Sequence, residues 1–295
     1  MRRVMTAVLC IAVVAAVSFC IVVGGQSLKK RKDGHNIPYS VMWENRQYTE
    51  LIAKGNAVLD KNPMDHTALV YTGFANFYEG ISRLNLEDKI SYIDQTVFLL
   101  RRALLTGSKE SASIKYILGK AYYHKGHYYS NLTVKYLSEA IKEGYSSSDI
   151  FEYLGLAYAD LGDYTSSIEN YHKAIDSGNA SDQIYVALAY TYLDAGMPDK
   201  AEEYLSFILS KTEDKEIKGK SYPVLARLYF DRKDYDNAEL CYRQYLVVNP
   251  QSADTYYLLG EIYELRGDKT TARNLWKRAL NLNPNHYKAR LKVYG

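Results

Sequence analysis

Six histidines, three cysteines and thirty-four acidic residues are the raw material for chemistry in this chain, and few are spaced to use it. His124 and His127 stand three apart, so one helix face could offer two imidazoles to a metal; zinc needs further ligands, none is in view, and the pair reads as an exposed helix end. Glu202 and Glu203 are adjacent, so on a helix they do not face each other, which suits a solvated face and not paired acid–base work. There is no His-Glu-x-x-His run and no glycine-rich phosphate loop closed by Lys-Ser or Lys-Thr. No catalytic residue, metal or cofactor is expected, and the chain is read as a non-enzyme. Asn131-Leu132-Thr133 and Asn179-Ala180-Ser181 are glycosylation sequons only if a eukaryote exports this body.

The formal charge of +3 is unevenly placed. Residues 1–32 hold six basic residues and no acidic one, which leaves thirty-one basic against thirty-four acidic residues in the remainder. A slightly acidic body lacks the field that phosphate neutralisation needs, so nucleic acid is not expected as a partner. Cys10 and Cys20 lie in an apolar run and Cys241 stands alone, so the body has no internal disulfide.

Val4 to Gly25 is 22 residues without a charge. At about 1.5 Å rise per residue a helix of that length crosses a hydrocarbon layer of about 30 Å, so residues 4–25 are expected to enter a membrane. An uncleaved anchor is the leading reading, because the run exceeds the roughly 7–15 apolar residues of a signal peptide; a cleaved signal and acylation of Cys20 stay open. Arg2 and Arg3 favour a body outside the cytoplasm, on the periplasmic side of a bacterial inner membrane, whereas Lys29 to Lys32 favour the cytosolic face. Residues 26–44 read as a linker.

The elements that must position everything else emerge when the chain is laid against itself. Tyr158, Tyr192, Tyr229 and Tyr263 are 34, 37 and 34 residues apart, and Gly155, Ala189, Ala226 and Gly260 keep the same spacing, as do Ser167, Ala201, Ala238 and Ala272. Pro250 and Pro284 fall 34 apart. In the last complete unit Tyr256, Leu259, Gly260 and Tyr263 mark one helix, Gly267-Asp268 a break, and Ala272, Leu275, Trp276 and Ala279 a second helix. Gly260 facing Ala272 would let the two helices approach closely, with Tyr263 and Trp276 filling the flanks.

This pattern resembles the tetratricopeptide repeat (TPR) family, whose 34-residue signature is filled at every place by Tyr256, Leu259, Gly260, Tyr263, Ala272, Trp276, Ala279 and Pro284. Units at 253–286, 219–252, 182–218 and 148–181 match well; 112–147 keeps Leu118, Gly119, Tyr122 and Ala140; 66–111 keeps Gly73 and Ala103 in an expanded unit; 45–65 reads as a lone second helix and 287–295 as a short cap. The resemblance implies an all-α body over 45–295, a right-handed superhelical stack of antiparallel helix pairs with first helices lining a concave groove. It also implies which residues face that groove: Leu156, Tyr190, Arg227 and Glu261, with Glu152, Val186, Pro223 and Tyr257 one turn to one side and Ala159, Leu193, Phe230 and Glu264 to the other. The aromatic centre around Tyr190, Leu193, Phe230 and Tyr257, with Arg227 beside it, has hot-spot composition. The Lys and Asn clamp by which some members grip a carboxy-terminal carboxylate is absent, since Leu156, Glu152 and Val186 stand in those places. The expectation is a membrane-tethered scaffold for a protein or peptide partner, in envelope assembly or secretion. A transport accessory for a small hydrophobic ligand and an organelle-surface targeting receptor are the alternatives, and homo-oligomerisation is left open.

Overall fold

The structure, a computed structural model, describes residues 37–107, 110–178 and 180–295. The uncharged run 4–25, Cys10, Cys20, the basic tetrad 29–32 and Asn179 lie outside the described residues. Among the described residues there are fifteen α-helices and no strand, and no helix is long and apolar enough to cross a membrane. They fall into two halves, residues 1–150 and 151–295.

In the amino-terminal half, α1 (Tyr39–Glu44) precedes α2 (Tyr48–Leu59), α3 (His66–Ser82) pairs with α4 (Leu86–Leu105), and α5 (Ser111–Lys125) pairs with α6 (Ser130–Lys142) across a 3₁₀ turn at His127–Tyr129. The expanded spacing of 66–111 has a simple cause: α3 and α4 run to 17 and 20 residues. Gly73 and Gly119 lie against Leu100 and Leu137 of their partner helices, and Ala103 and Ala140 are fully buried.

Residues 39–44, expected to be linker, are helical. Arg46 has a positive φ of 54° and stands 17 residues before Pro63, the separation of Lys233 from Pro250 and of Gly267 from Pro284. Hence α1 is the end of a first helix in register with the later ones, and α2 is not alone. Its Trp43 ring packs on Tyr78 at 5.4 Å and Phe74 at 5.9 Å, and Tyr39 stacks on Tyr71 at 5.5 Å.

The carboxy-terminal half holds α7 (Ile150–Asp160, from Phe151 on), α8 (Tyr164–Asp176), α9 (Asp182–Asp194), α10 (Pro198–Lys211), α11 (Lys215–Asp231), α12 (Tyr235–Val248), α13 (Ala253–Leu265), α14 (Lys269–Leu282) and the cap α15 (Tyr287–Tyr294). The small residues do their work by giving way to rings. A side chain on Gly155 would come within 2.6 Å of the Tyr171 ring, and one on Gly260 would enter the Trp276 indole. Gly260 therefore makes room for Trp276, whereas the sequence suggested that it faces Ala272. The close backbone approach expected at that level is seen three units earlier in the chain, where Ser167 Oγ donates to the Gly155 carbonyl at 2.8 Å. Ala189, Ala201, Ala226, Ala238, Ala272 and Ala279 are all fully buried, and Tyr192 stacks on Tyr204 at 5.5 Å.

In the carboxy-terminal half each hairpin turns through one residue of left-handed backbone, followed at three of the four turns by an aspartate cap and at Gly196 by Met197 and then Pro198 at the helix start. Gly162, Gly196 and Gly267 have φ of 74°, 74° and 86°, and Asp163, Asp234 and Asp268 accept from the amides of Ser166, Asn237 and Thr271 at 3.1, 3.2 and 3.0 Å. At the equivalent turn Lys233 adopts φ 64° with a side chain. A non-glycine residue there costs about 1–2 kcal/mol, part of which glycine returns through its freer unfolded chain. Lys233→Gly is therefore expected to raise stability by about 0.5–1 kcal/mol in urea unfolding; no gain would mean that the turn carries no strain.

Successive hairpins are also clipped by charge. Arg232 reaches back to Asp199, at 2.5 Å, and Glu202 on α10; Arg266 reaches back to Asp236, at 2.5 Å, and Glu239 on α12. The Tyr263 hydroxyl donates to Glu239 at 2.7 Å, and these donors together hold the Glu239 carboxyl below its usual range against the opposing effect of burial.

Candidate functional site

The residues expected to line the recognition face divide when placed. Tyr190 is exposed on α9, and its hydroxyl donates to the Lys220 carbonyl of α11 at 3.2 Å; burial of part of the ring raises its pKa. Arg227 is exposed on α11, its Nε bonded to Asp231 at 3.0 Å and its guanidinium 5.8 Å from the Phe230 ring. Leu156, Leu193 and Phe230 are half-buried and lean on the core of their half. Val186 is a correction: it is buried against Ile208 and Ile217 and presents no surface. The cause is the extra residues in its unit, which start α11 at Lys215, ahead of the expected 219, and carry Ile217 over it.

Tyr257 and Glu261 belong to a second cluster. The Tyr257 ring lies 5.1 Å from that of His286, and burial followed by the Glu261 carboxylate pushes its hydroxyl up to about 12. Glu261 pairs with Lys292 of the cap helix at 3.0 Å. His286 caps α15, accepting from the Ala289 amide at 3.1 Å, and its other nitrogen meets Asp254 at 3.0 Å. Arg227, Tyr257, Leu258, His286, Tyr287 and Lys288 together border an open cavity of about 510 Å³. Asp254 and Asn283 complete the lining, and Arg227 is already paired with Asp231, so the concavity offers charge of both signs, an amide and three rings, which suits the polar backbone and the apolar side chains of a peptide.

Sequence reasoning reached Arg227 and Tyr257 but missed His286, Tyr287 and Lys288, because a short cap helix carries no repeat signature; the signal available was Pro284, which ends one helix and so starts the next close by. It also passed over Lys120, which the repeat register places one residue after Leu118-Gly119, level with Leu156, Tyr190, Arg227 and Glu261. Lys120 is buried, bonded to Asp149 at 2.7 Å and Tyr116 at 3.1 Å, and lies 5.6 Å from the Phe77 ring.

The residues that suggested chemistry do not assemble. His124 is half-buried against Phe77 and Tyr123, not an exposed helix end, while His127 turns to Tyr128. Glu202 goes to Arg232 and Glu203 to Lys200 at 2.7 Å. Cys241 is free and buried, and burial pushes its thiol up to about 11. Among the described residues no three His, Cys, Asp or Glu side chains are placed to hold a metal.

Known proteins support the repeat reading. Tetratricopeptide repeat family models match residues 153–177, 182–206 and 224–287. Superkiller protein 3 of Schizosaccharomyces pombe is 24% identical over 260 residues, covering 84% of this chain; the chain spans 18% of that relative's length. Among solved structures, the carboxy-terminal part of a TPR repeat-containing protein from Cytophaga hutchinsonii superposes with a TM-score of 0.67 at 17% identity, over 87% of this chain and 98% of that one. YrrB, described as a TPR protein with an unusual peptide-binding site, gives a TM-score of 0.52 at 17% identity, over 64% and 95% of the two chains. At such identities the likeness is one of fold. The helix pairs at 153–177, 182–206 and 224–287 are tetratricopeptide repeats, and they form part of an all-helical repeat fold.

Proposed function

We propose that this chain is a membrane-tethered scaffold that holds a protein or peptide partner along the first helices of residues 151–295, with its body outside the cytoplasm. TPR folds generally act as protein-interaction scaffolds, and the observation that carries the reading here is the open cavity where Arg227 and Lys288 stand beside Tyr257 and Tyr287. The tether is the 22-residue uncharged run, and the basic pair Arg2-Arg3 before it sets the orientation.

Photocrosslinking in living cells tests the site. A benzophenone amino acid in place of Tyr190 or Tyr257 is expected to trap one discrete polypeptide, while the same group at Leu240, exposed on the second helix α12, traps none. Equal adducts from Leu240, or none from the first two positions, would remove the recognition face from the account. A small-molecule adduct alone would favour a transport accessory.

A further inference from the structure

The hairpin turn between α3 and α4 is built unlike the turns of the carboxy-terminal half. It reads Arg83-Leu84-Asn85-Leu86, with Leu84 fully solvent-exposed and Leu86 68% exposed, and with Ile81 and Ile90 exposed beside them. Neither leucine is needed for the turn. Asn85 caps α4 by accepting from the Glu87 and Asp88 amides at 2.8 and 3.2 Å, and glycine or lysine followed by aspartate serves at 162–163, 233–234 and 267–268. On the next hairpin of the same half the turn carries Tyr128, 85% exposed, and the Lys125–Asp94 ion pair joins the end of α5 to α4. Two adjacent turns thus present leucine, isoleucine and tyrosine tips to solvent. These are convex points and not a cleft, which suits a fluid apolar phase better than a second folded surface.

The rest of the chain says what that phase is. Trp43 on Tyr78 and Tyr39 on Tyr71 show α1 running alongside α3 towards its Leu84 end. From Tyr39 to the turn is therefore about 20 Å along the helices, at 1.5 Å per residue. From Gly25, the end of the uncharged run, to Ile37 is twelve Cα steps, which span at most about 40 Å whatever their conformation. The turns can therefore reach the surface of any bilayer that residues 4–25 enter.

We propose that Ile81, Leu84, Leu86, Ile90 and Tyr128 dip into the lipid interface as a second, non-spanning contact that seats the amino-terminal half on the membrane. This rests on the tether reading above. Around the tip Arg83 pairs with Glu79, and Lys89 stands against Glu87 and Asp88, so no basic excess draws the turn to lipid; insertion is driven by apolar surface and needs no anionic lipid.

The test is photolabelling of the full chain reconstituted in phosphatidylcholine vesicles containing a diazirine-bearing acyl chain, with labelled peptides identified by mass spectrometry. Label is expected on 4–25 and on 81–90, with none on the peptide holding exposed Leu240 and Val247. L84E/L86E is expected to reduce label on 81–90 about tenfold while leaving that on 4–25 unchanged. Label on 4–25 alone would keep the tether and overturn this proposal, as would equal labelling of the Leu240 peptide. No label on either segment would overturn the tether reading together with the contact built on it.

Discussion

Trp276→Ala is expected to cost about 3–5 kcal/mol, the usual range for truncating a buried tryptophan, and to loosen the recognition face at the same time. The indole is 5% exposed and packs among Ala272, Ala279, Ala289 and Val293, with Lys292 Nζ 5.0 Å from the ring. It fills the space left by Gly260, and its Nε1 donates to the Tyr257 carbonyl at 3.2 Å. One side chain thus ties α13, α14 and α15 together and fixes the backbone of a cavity-lining residue. Trp276→Phe keeps most of the volume but loses the N–H donor, and is expected to cost about 1–2 kcal/mol. Gly260→Ala attacks the same contact from the other side, by overpacking at about 1–3 kcal/mol. Denaturant unfolding measures the costs, and hydrogen exchange localises them: faster exchange confined to 253–294 is expected, whereas unchanged exchange there would show that the indole is not the keystone of the last hairpin.

Acid is expected to weaken the amino-terminal half before the other. Burial, and then the charges of Lys89 and Lys120, lower the His124 pKa from 6.5 to about 4. The folded chain then binds fewer protons than the unfolded one between those values, so stability falls as pH drops through 6.5 and levels off below about 4. At 1.36 kcal/mol per pH unit the full loss is about 3 kcal/mol. Asp149 adds a second step. Burial would raise its carboxyl, but Lys120 beside it, helped by Ser147 and Tyr116, holds it below 3.8. Its contribution is present above 3.8 and disappears as pH falls through the lower folded value. Hydrogen exchange at pH 7, 5.5 and 4 should show protection lost over 66–142, and His124→Gln should flatten the change between 6.5 and 4. A pH response of equal size in 151–282, or one unaltered by His124→Gln, would refute this assignment.

How much of this could be read from the residues depends on what fixed each feature. Gly155, Gly260 and the buried alanines repeat because a backbone or ring approaches them in every hairpin, and a constraint that recurs leaves a period in the sequence. The left-handed turn was visible as Gly267-Asp268 for the same reason, while Lys233 satisfies that geometry with the wrong residue and is found only from its φ. Val186 failed because three extra residues moved a helix start, and register arguments assume constant length. His286 and Lys288 lie on a cap that is not repeated, and the α1 helix was hidden by Pro38 and the charges around it. The functional face mixes both kinds: periodicity names the helical positions, but neighbouring elements decide whether a side chain at such a position meets solvent.

The clips at Arg232 and Arg266 carry one further consequence. Their carboxylate partners sit 33 and 30 residues upstream for Arg232, and 30 and 27 for Arg266, always on the second helix of the preceding hairpin. If the block 219–252 were excised, Arg266 would come into line with Asp199 and Glu202, the acids that Arg232 now holds. Each joint is therefore interchangeable with the next, and a chain of this kind can grow or shrink by gene duplication or deletion, in whole hairpins, without having to invent a new seam.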